Sequence, residues 1–277
     1  MPRLTALAGI ALFSLACPLV AQDAAPQKPA LTYADTVALA EASDLVLRVE
    51  IRKQVALKPE RAPDVAPGHA RLFIEARTLS LISGNVPVGE NLKYLVDVPL
   101  DAKGKVPKLK KREMILFARA VPGRLGEIQL VGDGAQRPYT PEFEAQLRPV
   151  LTSLLASDAP PRVTRVADAL AVEGTLVGES ETQLFLETEN DGPVSITVVR
   201  RPNQPPRWGV SWTEIVDQSA RAPREGTLQW YRLACTLPAE LPQEANLSRD
   251  SQARALAASD YRYVIEQLGP CARTLAR

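Results

Sequence analysis

Residues 45–52 read LVLRVEIR, and this stretch decides the fold class that we expect. From Leu47 onward apolar and charged side chains alternate strictly, as they do in a β-strand with one buried face and one solvent-exposed face. A short helical pattern over residues 33–42, which Thr32 can cap, ends just before this stretch. A proline-rich loop over residues 58–69 follows it. The stretch is therefore predicted to open a series of strands.

Four more stretches of strand character follow in the first half of the chain. They span residues 71–82, 92–100, 114–120 and 127–131. The connections between them are rich in glycine, proline or lysine, which favour loops. Five short strands fit a small barrel, closed or half closed, because closure removes the strand edges that would otherwise be exposed.

The spacing of these elements resembles the OB-type barrel of netrin-like and metalloproteinase-inhibitor-like modules. The resemblance covers residues 32–135. It rests on a helix, SDLVLRVEI at 43–51, a long second strand ending in glycine, and a Lys/Gly loop before MILFAR at 114–119. It implies an OB-like five-stranded barrel. The inhibitors of that family reach a metal through a free N-terminal cysteine, and this chain has no cysteine at that place, so inhibition by that route is not expected.

A helix and a linker are predicted to connect this domain to a second one. Thr140 can cap a helix that begins at Pro141, where the missing N–H of proline costs nothing. Leucines and Phe143 form an apolar stripe along this helix, and Pro149 is expected to kink it. Ala159-Pro160-Pro161 is the clearest break in the chain.

Strands dominate the remaining sequence until a final helix. We expect strands over residues 163–177, 182–188, 194–200, 207–216 and 228–237. Ser248 is expected to cap the final helix, which Gly269-Pro270 ends. The predicted organisation is mainly β (α+β): an OB-like five-stranded barrel at 32–137, a helix and linker at 138–161, and an antiparallel β domain with a C-terminal helix at 162–277.

The first 21 residues have the pattern of a secretory signal peptide. Arg3 precedes an apolar run from Leu4 to Val20, and Ala21 is a small residue at the expected cleavage point. We therefore expect a periplasmic or secreted protein with no transmembrane segment after the signal is removed. Residues 22–31 are small, polar and punctuated by proline, and they predict a flexible leader.

The three cysteines bear on the export route and on a cross-link. Ser14-Leu15-Ala16-Cys17 resembles a lipoprotein cleavage box, so a lipoprotein with a lipid on Cys17 is the alternative to a free exported protein. After cleavage at Ala21 only Cys235 and Cys271 remain, and two thiols in an oxidising compartment most often pair. A disulfide between them is predicted to stabilise the fold by roughly 3–4 kcal/mol through loop closure. Two buried free thiols are the alternative.

Composition and motifs exclude several kinds of chemistry. His69 is the one histidine of the chain, so no site can use two histidines as metal ligands. The sequence contains no P-loop, dinucleotide fingerprint, CxxC pair or EF-hand loop, and residues 178–182 lack the second glycine of a nucleophile elbow. No cofactor and no metal are therefore expected. The balance of 33 basic and 32 acidic residues gives no general attraction to nucleic acid.

Two carboxylates lie close to tryptophans in the second half of the sequence. Glu214 and Asp217 follow Trp208 and Trp212, and hydrolysis of a glycosidic bond needs only two acids a few ångströms apart. This pattern keeps a cell-envelope hydrolase of the carboxylate-based glycosidase type as an alternative. Ordinary carboxylates at a strand end explain the same residues.

All three tryptophans fall within residues 208–230, and Tyr231 adjoins the last of them. Strand alternation places Trp208, Val210 and Trp212 on one face. If they are exposed, Trp208, Trp212, Trp230 and Tyr231 form a candidate ligand-binding surface that stacks on sugar rings or peptide groups. If they are buried, the same side chains form the core of the second domain, where large aromatic residues usually lie.

A basic loop precedes the fourth predicted strand. It contains Lys103, Lys105, Lys108, Lys110, Lys111 and Arg112. A solvated loop is one interpretation, and contact with an anionic envelope surface is another. OB-type barrels often bind nucleic acid through such loops, but we do not expect this of an exported protein with few aromatic residues in these strands.

The second half resembles uncharacterised exported proteins of alphaproteobacteria, through SETQLFLETENDGPVSITVVRRP at 180–202, WYRLAC at 230–235 and QLGPC at 267–271. The resemblance implies an exported location and brings no activity with it. Together with the missing catalytic motifs, it favours an exported non-enzymatic binding or interaction module whose partner is an unknown envelope component, either protein or glycan. A cell-envelope hydrolase and a structural envelope protein are the alternatives.

Overall fold

The computed structural model describes residues 31–213 and 220–275. The predicted signal peptide with Cys17, the predicted leader up to residue 30, and the acids Glu214 and Asp217 lie outside the described residues.

A helix and an antiparallel sheet make up the first half of the described chain. Helix α1 (Tyr33–Ala42) precedes the strands β1 (Leu45–Ala56), β2 (His69–Gly84), β3 (Asn91–Pro99), β4 (Glu113–Ala120), β5 (Ile128–Leu130) and β6 (Gln136–Pro138). The strand order is β3-β2-β1-β4-β5, and β6 also pairs with β4. The outer strands meet at a parallel bridge between Lys93 and Glu127. The five strands do not close into a complete barrel, which corrects the closed form of that prediction.

The second half contains a four-stranded antiparallel sheet and three helices. Helix α2 (Pro141–Leu155) leads to the strands β7 (Val163–Glu173), β8 (Ser180–Thr188), β9 (Val194–Arg200) and β10 (Arg207–Ser211), and helices α3 (Leu228–Ala234) and α4 (Ser251–Leu268) follow. The strand order is β10-β9-β8-β7. The mainly β (α+β) fold class, the second antiparallel sheet and the final helix are therefore confirmed.

The stretch that opens the sheet is buried on both of its faces at its start. Leu45 and Leu47 lie in a cluster enclosed by the first sheet, whereas Val46 lies in a second cluster with the helices and the second sheet. The alternation from Leu47 onward places Val49 and Ile51 in the first cluster as well. The residues from Leu31 onward thus form one compact unit. The predicted domain boundaries within that unit stay a prediction.

Residues 228–237, which we predicted as a strand, are instead helical over Leu228–Ala234. The hydroxyl of Thr227 accepts a hydrogen bond from the Trp230 amide at 3.3 Å and caps this helix. Over so short a stretch the apolar residues fit the period of a helix as well as that of a strand, and the Thr227 cap favours the helix.

The final helix is capped by Asp250 and not by Ser248 as predicted. Asp250 caps α4 by accepting hydrogen bonds from the amides of Gln252 and Ala253. Ser248, the predicted cap, instead uses its hydroxyl to accept a hydrogen bond from the Ala171 amide on β7 at 3.1 Å. The helix ends as predicted at Gly269, whose φ is 70°.

Candidate functional site

One end of the first sheet concentrates positive charge. The basic end, defined as residues 52–71 and 97–112, carries eleven Lys and Arg against four Asp and Glu. The whole chain carries 33 against 32. The near-neutral total therefore hides a strongly positive end, and the rest of the chain is negative.

The lysine loop, residues 103–112, supplies most of this charge. Five of the nine lysines of the chain lie in it, and no lysine follows Lys111. All six of its cationic residues are exposed. Among the residues that the structure describes, none of the six forms an ion pair with a carboxylate.

The backbone of the lysine loop is held in place by one side chain of β1. The Gln54 amide donates to the carbonyl oxygen of Pro107 at 2.9 Å, and its oxygen accepts from the amides of Leu109 at 2.5 Å and Lys110 at 3.2 Å. Leu109 is buried and belongs to the core of the first sheet. The loop is therefore anchored in its middle, and the lysines on either side of Leu109 project from an ordered backbone.

The two ends of the loop are also fixed. The Asp101 carboxylate accepts from the amides of Lys103 and Lys105, each at 2.8 Å. At the other end the Lys111 amide donates to the Ile51 carbonyl at 2.7 Å. Lys111 has a φ of 65°, a left-handed conformation that costs a non-glycine residue about 1–2 kcal/mol. A lysine stands at a position where glycine would be easier to accommodate.

Arg71, another cation of the basic end, is already paired. Arg71 donates to Asp97 at 2.7 and 2.8 Å, and it also contacts Asp64 at 2.9 Å. The hydrogen bonds from Arg71 lower the pKa of Asp97 below its usual range, although partial burial acts in the opposite direction. Because Arg71 is neutralised in this way, the uncompensated charge is concentrated in the lysine loop.

The aromatic residues that we considered for ligand binding lie along the core. Trp230 is 4 % exposed, and its Nε1 donates to the Leu268 carbonyl at 2.7 Å; Tyr231 beside it is also buried. Trp208 and Trp212 are half-buried on the inner face of the second sheet and pack against the same cluster. A ligand-binding role for these four residues stays a prediction.

His69 does not lie within a loop as expected. It is the first residue of β2 and is exposed, with its Nδ1 3.2 Å from the Pro67 carbonyl oxygen. Within residues 31–213 and 220–275 no group of His, Cys, Asp and Glu is arranged to hold a metal. No helix in that same part of the chain is both long and apolar enough to cross a membrane.

A cavity of about 240 Å³ lies beside α4, between this helix and residues 239–246. Two of its polar lining side chains already have backbone partners. The Tyr261 hydroxyl donates to the Pro238 carbonyl, and the Asn246 amide donates to the Arg254 carbonyl. These two groups therefore serve the fold, and the cavity is a weaker binding candidate than the lysine loop.

No protein-family model matches the chain, and no curated protein matches it either. The sequence identified the basic loop but not the clamp that orders it. Gln54 is one polar residue in an alternating strand, and its partners are more than 50 positions away.

Proposed function

We propose that the protein is an exported, non-enzymatic binding module whose basic end binds an anionic partner in the cell envelope. One observation carries the proposal: the lysine loop presents six exposed cations on an ordered backbone, and none of them has a carboxylate partner among the described residues. Cations that no internal acid neutralises are available to attract and pair with a partner.

The order of the loop favours binding. Three anchor points, at Gln54, at Asp101 and at Ile51, hold the backbone before any partner arrives. A preorganised surface loses less conformational entropy on association than a mobile one.

The chemistry of the loop fits a surface of anionic lipid headgroups. Five of its six cations are lysines, and lysine acts as a hydrated point charge that does not require the fixed geometry of a bidentate arginine contact. The charges lie along an exposed loop rather than around a concave pocket. Each lysine or arginine near an anionic membrane surface contributes about 1 kcal/mol.

Sedimentation with vesicles tests the proposal. The protein should bind vesicles of phosphatidylcholine that contain phosphatidylglycerol and should not bind pure phosphatidylcholine. A variant with Lys105→Glu, Lys108→Glu and Lys110→Glu should lose at least about 100-fold in affinity, given about 1 kcal/mol for each cation removed. Binding should also weaken as salt screens the charges.

A matched variant controls for net charge. Arg201→Glu, Arg254→Glu and Arg262→Glu change the total charge by the same amount at three other exposed positions. This variant should keep most of its affinity for anionic vesicles. Equal losses in the two variants would contradict a specific role for the lysine loop, and binding to a soluble anionic glycan but not to vesicles would contradict the lipid surface.

A separate measurement tests the non-enzymatic part of the proposal. Turnover of muropeptides or envelope glycans that Glu214→Gln abolishes would establish the hydrolase and overturn the binding module. We expect no such turnover.

A further inference from the structure

The last described residues cross from the second half of the molecule to helix α1. We call Cys271–Leu275 the C-terminal strap. It begins at the Cys235–Cys271 disulfide, whose Cα atoms are 5.0 Å apart and whose other half follows the last residue of α3. Next, the Arg273 guanidinium lies 5.6 Å from the ring centroid of Tyr231 and donates to its hydroxyl at 3.3 Å.

The strap is bound to a buried carboxylate in α1. Asp35 is 1 % exposed and accepts hydrogen bonds from the Thr274 amide at 2.8 Å, the Thr274 hydroxyl at 2.7 Å and the Leu275 amide at 3.4 Å. The same side chain accepts from the Thr32 amide at 3.3 Å, which closes the capping box of α1. Burial alone would raise the pKa of Asp35, but the hydrogen bonds from Thr274 and Thr32 outweigh it and lower the pKa, so the carboxylate is charged when the strap is docked.

The end of the strap fits closely against the loop before β6. Gly134 has a φ of 79°, and a Cβ at this position would lie 2.7 Å from the Leu275 Cδ2 atom. The side chain of Leu275 therefore occupies the space above a glycine that has no room for a larger residue. Leu275 also packs against the cluster that joins the helices and the second sheet.

The non-covalent contacts of the strap compete with the conformational entropy lost when the strap docks. Ordering a segment without regular secondary structure costs conformational entropy at each residue, and a few hydrogen bonds with net contributions of similar size only offset it. The disulfide changes this balance, because it holds Cys271 next to α3 and leaves only the following residues to be ordered. Both cysteines are half-buried.

We infer that the strap is a redox-dependent latch: it stays docked on Asp35 while Cys235 and Cys271 are joined, and it undocks when they are reduced. The reductant is a dithiol. One of its thiolates attacks a sulfur of the disulfide, a mixed disulfide forms, and the second thiolate releases it. The dithiol ends as a disulfide, and Cys235 and Cys271 end as thiols. This latch is independent of the lysine loop and of the proposed function.

Hydrogen exchange measured by mass spectrometry tests the latch on the full chain. Treatment with dithiothreitol should raise the exchange rates of residues 272–275 and of the first turn of α1 by about tenfold or more, because the strap then opens locally. Strands β8 and β9 should remain far better protected than the strap in the reduced protein, because their amides exchange only through global unfolding. The double variant Cys235→Ser/Cys271→Ser should exchange rapidly at the strap with or without dithiothreitol, which controls for effects of the reagent.

Two results would overturn the inference. If the strap exchanges at the same rate in oxidised and reduced protein, the hydrogen bonds to Asp35 hold it without the cross-link. If reduction makes both sheets exchange as fast as the strap, the disulfide supports the whole fold rather than a latch. The Thr274→Ala variant gives a second readout with the disulfide intact: it removes one bond to Asp35 and should raise strap exchange less than reduction does.

Discussion

The basic end of the first sheet and the second sheet with its helices use charge in opposite ways. In the second half the cations are arginines, and several of them pair with carboxylates: Arg162, Arg165, Arg200 and Arg232. Among these, Arg232 reaches Glu41 at 2.5 Å, and both side chains are largely buried. In the lysine loop the cations are exposed, and no described carboxylate neutralises them.

A nearly neutral chain can therefore use its arginines for stability and its lysines for binding. Arginine presents a planar fork that suits paired and buried positions, whereas lysine is strongly hydrated and remains in water. The paired arginines stabilise the second half and join it to α1. The lysines contribute little to the fold and are available to a partner.

The largest effect is expected where a charge of the second half is buried. Asp260 on α4 is fully buried; it accepts from Arg200 at 2.6 Å and from the Thr182 hydroxyl at 2.5 Å. Asp260→Ala should lower the free energy of unfolding by about 2–4 kcal/mol, because the buried Thr182 hydroxyl and the partly exposed Arg200 both lose their acceptor. Urea unfolding measures the loss.

The control for Asp260 is a cation of the lysine loop. Lys110→Ala should change the free energy of unfolding by less than about 0.5 kcal/mol, as is usual for exposed surface substitutions. Similar losses for the two variants would contradict the division of charges between stability and binding.

A smaller effect is expected from the clamp that orders the lysine loop. Gln54→Ala removes three hydrogen bonds and should lower the free energy of unfolding by about 2 kcal/mol, since each such bond contributes roughly 0.5–1.5 kcal/mol net. Amide exchange at Leu109 and Lys110 should rise. Affinity for anionic vesicles should fall although no charge is removed.

The conservative variant Gln54→Glu sharpens this test. A carboxylate keeps the acceptor for the amides of Leu109 and Lys110 but loses the donor to Pro107, so loop exchange should be intermediate between the wild type and Gln54→Ala. If Gln54→Ala raises loop exchange but leaves vesicle affinity unchanged, the ordered backbone is irrelevant to binding.

Much of the fold was predictable because local signals agreed with it. Thr32 and the pattern after it predicted α1 over residues 33–42, and a strand was predicted over 194–200 where β9 lies, both as observed. The errors arose where a distant partner or a missed cap decided the structure. Ser248 has the chemistry of a helix cap, but its hydroxyl instead accepts a hydrogen bond from the amide of Ala171, 77 positions earlier.

The candidate site was predictable only in part, for the same reason. The density of lysine in residues 103–111 is visible in the sequence, and its exposure follows from composition. The lack of ion-pair partners for these lysines could not be predicted, because it depends on strand pairing, which brings Asp97 and Asp64 to Arg71 instead. The clamp by Gln54 likewise depends on the register of β1 against the loop, which no local pattern specifies.

A modest effect with the opposite sign is expected at Lys111. Because its φ is 65°, Lys111→Gly relieves backbone strain, and after the entropy cost of glycine in the unfolded chain the fold should gain about 0.5 kcal/mol. Vesicle affinity should fall by about fivefold, as for the loss of one cation. A variant that is more stable and binds less tightly would show that Lys111 favours binding at the expense of stability.

The neighbouring Lys110→Gly is the matched control, because it removes the same charge at a position outside the left-handed region. It should lower vesicle affinity by a similar factor and should not stabilise the fold. A stabilisation of equal size at both positions would mean that relief from repulsion between lysines, rather than backbone strain, accounts for the gain at Lys111.

The smallest effect concerns the pair that is neutralised within the basic end. The hydrogen bonds from Arg71 depress the pKa of Asp97, so the folded state binds this proton less readily than the unfolded chain does. The pair therefore stabilises the fold at pH values above the unfolded pKa of about 3.9, and the contribution is lost as the pH falls through the lower folded value. Because the pair is partly exposed, we expect less than about 1 kcal/mol. Carbon-13 NMR titration of the Asp97 carboxyl should show a pKa that rises toward its usual value in Arg71→Lys, since lysine cannot reproduce the two parallel hydrogen bonds. An unchanged Asp97 titration in that variant would show that Arg71 does not hold this carboxylate, and Arg71 would then be paired with Asp64 alone.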